Sequence, residues 1–159
     1  VVIGYDQIIV SKVPFKRLKR ETIREVLNSL QIKPNSTVYD LGCGDGRVLI
    51  EAAKIQPKST YIGIEKAIIP YVLAKYQTRH FTQIHIHLGD VRKCNFTDAT
   101  YIFVYLLPNL IDSLELDFSK LIKKQTRIVA VEFPLKSIKP KKIYKLIHKS
   151  EFASKWYQY

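Results

Sequence analysis

Short hydrophobic runs alternate along the chain with segments in which apolar residues recur at helical spacing. The runs predict strands over 38–41, 60–65, 84–88, 99–107 and 126–133, and the periodic segments predict helices over 22–30, 47–55, 69–80 and 110–122. Two further β-rich runs, 142–147 and 155–159, follow too closely for a helical crossover. We therefore expect an α/β fold with a doubly wound, mostly parallel sheet and a C-terminal antiparallel edge hairpin.

The length and composition fit a single domain over residues 1–159, without repeats or a linker. Within it we expect an N-terminal basic segment and helix over 1–36, a ligand-binding core over 37–133 and a basic C-terminal hairpin over 134–159. Cys43 and Cys94 have neither disulfide nor metal-site spacing, which favours a reducing, cytoplasmic setting and no metal. The sequence opens at Val1 without a signal peptide, so membrane association through a preceding segment stays open.

The net charge of +12 is unevenly distributed. Residues 1–36 hold seven basic and three acidic side chains, residues 37–119 hold eight and nine, and residues 120–159 hold eleven and two. This asymmetry indicates an anionic partner, such as nucleic acid, an acidic membrane surface or an acidic protein surface. A lysine-rich surface that is merely solvated explains the same pattern, and the oligomeric state cannot be derived from it.

The strongest chemical signal is a glycine-rich loop between a predicted strand and a predicted helix. Asp40 ends the strand, and Gly42, Gly44 and Gly46 follow at alternate positions. Glycines allow a ligand to approach the backbone, and the next helix directs free N–H groups toward it. A dinucleotide site needs a different spacing, and Asp40 with Asp45 would repel a phosphate while attracting an ammonium group. A glycine-rich turn without a ligand is the simpler alternative.

This loop resembles motif I of the class I S-adenosylmethionine (SAM)-dependent methyltransferases, and the resemblance covers about residues 36–133. It implies a Rossmann-like fold and SAM as cofactor. Glu65 would accept hydrogen bonds from the ribose hydroxyls, Asp90 from the adenine amino group, and Asp40 would pair with the cofactor ammonium. A lone carboxylate at a strand end is often only a helix N-cap. The expected cofactor-binding residues are Asp40, Gly42, Cys43, Gly44, Gly46, Glu65, Asp90 and Val91, whereas Arg47 is expected to pair with Asp45 or Glu51.

The end of the fourth predicted strand lacks the Asn/Asp-Pro-Pro-aromatic element typical of enzymes that methylate nucleic-acid amines. It is instead similar to the small protein-lysine methyltransferases of archaea and their mitochondrial relatives that modify an ATP-synthase subunit. The matching residues are Val13, Pro14, Leu106, Leu107, Asn109, Glu132, Phe133, Pro134 and Leu135. Lys12 stands where that family usually has Tyr, so Tyr5 or Phe15 would have to replace it in a lysine channel.

This resemblance implies methyl transfer to a protein lysine, with the acceptor amine positioned by Tyr105, Asn109 and Glu132. Tyr39 and Phe133 are either channel walls or core residues, and Glu132 could instead pair with a surface lysine. Two alternatives remain for the function. One is a nucleic-acid (RNA) methyltransferase whose basic termini bind phosphates, and the other is a non-catalytic SAM-fold binding subunit.

Overall fold

The computed structural model describes residues 17–151 and 153–159. Four α-helices and seven β-strands are present in these residues. The helices are α1 Arg20–Leu30, α2 Arg47–Ile55, α3 Ile68–Thr78 and α4 Pro108–Lys123. The strands are β1 Thr37–Leu41, β2 Thr60–Glu65, β3 Ile84–Leu88, β4 Tyr101–Val104, β5 Arg127–Val131, β6 Lys142–Ser150 and β7 Ala153–Gln158.

All seven strands form one sheet in the order β3-β2-β1-β4-β5-β7-β6. Strands β1 to β5 are parallel, whereas β7 lies antiparallel between β5 and β6. The predicted parallel sheet with an antiparallel edge hairpin is therefore confirmed. The strand order reverses between β1 and β4, and ligands of open α/β sheets bind outside the carboxyl ends of the strands at such a reversal.

Helices cover both faces of the sheet, as alternation along the strands requires. Val38 of β1 packs with the apolar faces of α1 and α2 in one core cluster, together with Ala74 of α3. Its neighbour Tyr39 points to the other face and packs with residues of α4. All four residues of β4 are buried, which explains why the sequence there is a continuous apolar run.

Residues 132–141, here called the strap, connect β5 to β6 without a helix. The strap covers the α4 side of the sheet with the buried Leu135, whose N–H donates to the Tyr159 hydroxyl at 2.8 Å. The backbone N–H groups of Lys136 and Ser137 donate to the carboxylate of Glu115 on α4. An extended segment with its own polar partners thus takes the place that a crossover helix would occupy.

The hairpin of β6 and β7 is attached to the body by aromatic and polar contacts. The rings of Tyr144 and Trp156 stack at a centroid distance of 4.0 Å, and Trp156 is 1% exposed. A register irregularity in β6 frees backbone N–H groups at Ile147 and His148, which donate to Glu25 of α1 at 2.8 and 2.9 Å. These two hydrogen bonds attach the edge strand β6 to α1.

At the carboxyl ends of β4 and β5 the strands are shorter than predicted. β4 ends at Val104 rather than at residue 107, because Pro108 starts α4 in the N1 position that proline favours. β5 ends at Val131, where Glu132 adopts a left-handed φ of 66° that a strand cannot continue. Both shifts leave half-buried side chains, among them Tyr105 and Glu132, beyond the strands at the carboxyl edge of the sheet. None of the helices in the described residues is long and apolar enough to cross a membrane.

Candidate functional site

The glycine loop turns sharply between β1 and α2 at the carboxyl edge of the sheet. Gly42, Gly44 and Gly46 have φ values of 78°, 56° and 79°, a region where a side chain would be strained. The Gly42 N–H donates to the Ile64 carbonyl at 2.8 Å, so the loop is fixed to β2. A Cβ at Gly42 would lie 2.5 Å from Leu106, which shows how closely the loop approaches the end of β4.

Asp40 provides the clearest sign of a site for a cationic group. Its side chain is buried, and Oδ2 has no hydrogen-bond partner among the described residues. Burial, together with the charges of Glu65 and Asp45, raises the pKa of Asp40 to about 8. An ammonium group placed here would relieve both the lost solvation and the repulsion. The residues present therefore fit the amino-acid portion of SAM.

Asp45, the second carboxylate of the loop, is already neutralised within the protein. The guanidinium of Arg47 lies 2.6 Å from Asp45 Oδ2, and Arg17 approaches the same oxygen at 3.7 Å. Burial opposes ionisation, but the hydrogen bonds and charge of Arg47 prevail and lower the pKa of Asp45. The expected Arg47–Asp45 pair is thus present, and Asp40 remains the unpaired carboxylate.

Glu51 was the other partner considered for Arg47, but it pairs elsewhere. Its buried carboxylate lies 2.5 Å from Arg20 and 2.6 Å from Arg24, both on α1. Burial again opposes ionisation, but these arginines lower the pKa of Glu51. This cluster fastens α1 to α2 and so steadies the helix that follows the loop.

Glu65 lies at the end of β2 and braces the loop from the side. Its Oε2 accepts from the Gly44 N–H at 2.9 Å, and its Oε1 accepts from the Ala67 N–H at 2.8 Å. Each carboxylate oxygen has a second lone pair. Glu65 can therefore accept from two ribose hydroxyls while it holds the loop, as the sequence predicts.

Asp90 follows β3, and cations already surround its carboxylate. Arg92 and Lys66 lie 2.5 and 3.3 Å from Oδ2. The Arg92 hydrogen bond is the main cause of a pKa well below the usual range. Asp90 remains ionised and would share its oxygens between Arg92 and an adenine amino group. Val91 is buried beside it at the start of a short 3₁₀ turn.

Cys43 packs inside the loop rather than facing outward. It is 5% exposed, and burial raises the pKa of its thiol, so the sulfur stays protonated. A thiolate is the form that attacks substrates or binds metals, which leaves Cys43 a packing role. Among the residues described, no group of three or more His, Cys, Asp or Glu side chains could hold a metal ion.

The predicted acceptor-positioning residues lie beyond the ends of β4 and β5. Tyr105 is half-buried, and its pKa is raised mainly by burial and also by the charge of Glu132. Glu132 Oε2 accepts from the N–H of Ser154 at 2.6 Å and from its hydroxyl at 3.1 Å. Asn109 lies exposed in the first turn of α4.

The two aromatic residues considered for the channel wall differ in position. Tyr39 is 6% exposed and packs near Phe96, and its hydroxyl donates to Asp98 at 2.9 Å. It is therefore a core residue, as the alternative interpretation held. Phe133 is half-buried at the start of the strap and stays a candidate wall.

Sequence reasoning missed Gly63, in the middle of β2. A Cβ there would lie 2.7 Å from Cys43 Sγ, 2.8 Å from Leu49 and 2.9 Å from Ile86. Gly63 therefore lets the loop and α2 lie directly on the sheet. A glycine inside a strand is the one signal in the sequence for such a close approach. Val13, Pro14, the departure at Lys12 and the two channel candidates, Tyr5 and Phe15, lie outside the described residues.

Comparison with known proteins identifies methyltransferases, a class of protein whose cofactor the site fits. The profile of the ANTKMT methyltransferase domain matches residues 40–142. A protein-lysine N-methyltransferase of Saccharolobus islandicus is 31% identical over 140 residues, or 86% of this chain and 87% of that protein. The adenine nucleotide translocase lysine N-methyltransferase of Mus musculus is 25% identical over 81% of this chain, which spans only 57% of the mouse protein.

Solved structures share the fold. An RNA methyltransferase from Salinibacter ruber in complex with S-adenosyl-L-homocysteine superposes with a TM-score of 0.77 over 90% of this chain and 92% of its own. Its sequence identity of 21% shows a common fold and no more. The profile match covers more than half of the chain and includes the loop, Glu65 and Asp90. The chain therefore belongs to the ANTKMT methyltransferase domain family and is a class I SAM-dependent methyltransferase.

Proposed function

We propose that this chain transfers the methyl group of SAM to the side-chain amine of a lysine in a substrate protein. The observation that carries the proposal is the relative from Saccharolobus islandicus, which is named as a protein-lysine N-methyltransferase and which this chain matches over 87% of its length. The apolar end of β4, with Leu106 and Leu107 in place of an Asn/Asp-Pro-Pro-aromatic element, supports the same acceptor.

The cofactor side of the site needs only to bind and orient. SAM carries its methyl group on a sulfonium, so the group is already activated and the chain supplies no nucleophile. Asp40, whose Oδ2 has no partner among the described residues, would pair with the cofactor ammonium, and Glu65 would hold the ribose while it braces the loop at Gly44. Correct alignment with the acceptor accounts for much of the rate, because a fixed geometry removes the entropic cost of the encounter.

The acceptor side must receive a lysine amine in its neutral form, since an ammonium has no lone pair. A partly dry channel lowers the pKa of a lysine by desolvation, and half-buried Tyr105 forms one wall of it. Both hydrogen bonds from Ser154 go to Oε2 of Glu132, which leaves Oε1 to accept from the incoming amine. Asn109 offers a second polar contact at the start of α4.

A first experiment titrates SAM into the protein by calorimetry and then supplies methyl-labelled SAM with a cell extract. We expect binding, and label that protease removes and nuclease does not. Acid hydrolysis should then release methylated lysine. The matched control is Asp40→Asn, which preserves shape while removing the carboxylate charge and should reduce both binding and labelling.

Two results would contradict the proposal in different ways. Absence of SAM binding at high micromolar SAM would contradict methyltransferase activity on any acceptor. Label that only nuclease removes would leave the methyltransferase activity standing but show that its acceptor is a nucleic acid. The basic surface would then bind phosphates, and this binding would weaken as the salt concentration rises.

A further inference from the structure

The edge hairpin keeps two like charges directly opposite each other. Lys145 of β6 pairs in register with Lys155 of β7, and both side chains are exposed. Residues opposite each other in an antiparallel pair have Cβ atoms about 5 Å apart, and like charges there are destabilising. Neither lysine forms an ion pair within the described part of the chain, and exposed Glu151 in the turn does not reach them. Among residues 17–151 and 153–159, no acidic side chain relieves this repulsion.

This lysine pair adjoins the candidate acceptor site. The Glu132 N–H donates to the carbonyl of Lys155 at 2.9 Å. The carboxylate of Glu132 accepts a hydrogen bond from the N–H of Ser154, the residue before Lys155. Because β7 is antiparallel to β5, its first residues lie at the carboxyl edge of the parallel strands, where SAM and the acceptor meet. A substrate that places its lysine at Glu132 would bring its flanking residues over the hairpin.

The hairpin is suited to carboxylates rather than to nucleic-acid bases. Two of its aromatic rings, buried Trp156 and half-buried Tyr144, stack on each other on the α1 side of the sheet. Their stacked faces are thus unavailable to single-stranded bases, which usually bind by stacking on aromatic side chains. Two exposed lysines a few ångströms apart form a compact positive site that one or two acidic side chains would neutralise.

We propose that Lys145 and Lys155 bind acidic side chains that flank the acceptor lysine, so that the enzyme selects lysines in acidic segments of its substrate protein. The inference rests on the proposed lysine methylation and names its substrate class. Pairing the flanking carboxylates with Lys145 and Lys155 also weakens their stabilisation of the charged form of the amine.

The test compares peptide pools that share a central lysine and differ only in its neighbours. One pool carries Asp and Glu, the second the uncharged Asn and Gln, and the third Arg. The enzymes are the wild type, the double variant Lys145→Glu/Lys155→Glu, and a control with the same charge change, Lys123→Glu/Lys124→Glu. The control residues are exposed at the C-terminal end of α4, away from the carboxyl edge of the sheet.

We expect the wild type and the control to methylate the acidic pool with a kcat/KM about 2- to 30-fold above that of the neutral pool, as two exposed ion pairs allow. The hairpin variant should reverse the order and prefer the Arg pool. The change should appear in KM, because the lysine pair binds the substrate and does not contact the methyl group. SAM binding by calorimetry should be the same in all three proteins.

Equal kcat/KM values for the acidic and neutral pools would overturn the inference and leave lysine methylation standing. The inference would also be overturned, with lysine methylation still standing, if the hairpin variant lost binding to phosphatidylglycerol vesicles or to an RNA oligonucleotide while the wild type showed no preference among the peptide pools. Absence of methyl transfer to every pool, despite SAM binding, would instead count against the proposed function itself.

Discussion

Among single residues, Asp40 has the most unusual environment. It lies in a strand that is buried on both sides, and its Oδ2 has no hydrogen-bond donor in the described structure. The free protein accommodates this by holding a proton that a normal aspartate would release. Binding of the cofactor ammonium would remove the need for that proton.

Asp40 should make the cofactor-free protein less stable as the pH rises. Its pKa is about 8 in the folded chain and about 4 in an unfolded one. Between these values the folded state holds one more proton than the unfolded state, so the free energy of unfolding falls as pH increases. Urea unfolding at several pH values from 5 to 8 should show a decline in the wild type that Asp40→Asn lacks.

The same substitution should weaken SAM binding by about 10- to 100-fold at pH 8, the cost of losing a hydrogen bond to a charged group. Two identical stability profiles would contradict the raised pKa of Asp40, and equal SAM affinities would show that its carboxyl is not where the ligand cation binds.

Gly63 offers a second test at one position. Gly63→Ala places a methyl group against Cys43, Leu49 and Ile86, all closer than 3 Å. We expect a loss of about 1–3 kcal/mol in the free energy of unfolding and weaker SAM binding, because the loop must shift. Gly89→Ala is the matched control, since its new methyl would meet only Cys94 Sγ, at 3.3 Å. Equal effects of the two substitutions, measured by urea unfolding and calorimetry, would contradict the close packing at Gly63.

The single residues also show what the sequence can reveal. Motif spacing predicted Asp40, the loop glycines and Glu65 as site residues, and the structure places them together at the carboxyl ends of β1 and β2. Motif spacing could not decide whether Arg47 pairs with Asp45 or with Glu51, since that depends on where side chains point. Nor could it reveal the bond between Glu132 and Ser154, which exists because β7 inserts beside β5.

Among the elements, the edge strand β6 depends on α1. The carboxylate of Glu25 supplies partners for the N–H groups that the irregularity of β6 leaves free, at Ile147 and His148. These bonds outweigh the effect of burial and lower the pKa of Glu25. The contact joins residues more than 120 positions apart, so no local pattern in the sequence could predict it.

Glu25→Gln should therefore destabilise the fold by about 1–2 kcal/mol at neutral pH, since hydrogen bonds to a charged acceptor are among the stronger ones. A carboxyl group whose pKa is lower in the folded chain than in the unfolded chain stabilises the fold at pH values above its unfolded pKa. This stabilisation is lost as the pH falls. The difference from wild type should thus shrink toward pH 3. Glu21→Gln, an exposed change on the same helix, should have little effect on urea unfolding at either pH. A deficit for Glu25→Gln that is constant with pH would show that its charge is not the cause.

On the level of the whole molecule, the sheet links the cofactor loop to the C-terminal hairpin without an intervening boundary. Residues of α1, α2, β1 and the hairpin share one buried cluster. The sequence predicted the parallel core and the hairpin but not the insertion of β7 between β5 and β6. That order depends on long-range pairing, which periodicity does not encode.

A single cooperative unfolding transition should follow from this continuity. Trp156 is the one tryptophan of the chain and lies in the hairpin at 1% exposure. Its fluorescence should therefore change at the same urea concentration as the far-ultraviolet circular dichroism of the helices. A hairpin that melts first, with an earlier fluorescence change, would divide the chain into separate units.

The brace between Glu65 and Gly44 also has a kinetic consequence. All three loop glycines already have their left-handed conformation, and the Glu65 carboxylate already holds the loop. A binding site that is formed before its ligand arrives loses little conformational entropy on binding. Association with SAM should therefore be a single bimolecular step whose rate is set by encounter, with no slow rearrangement of the loop after it.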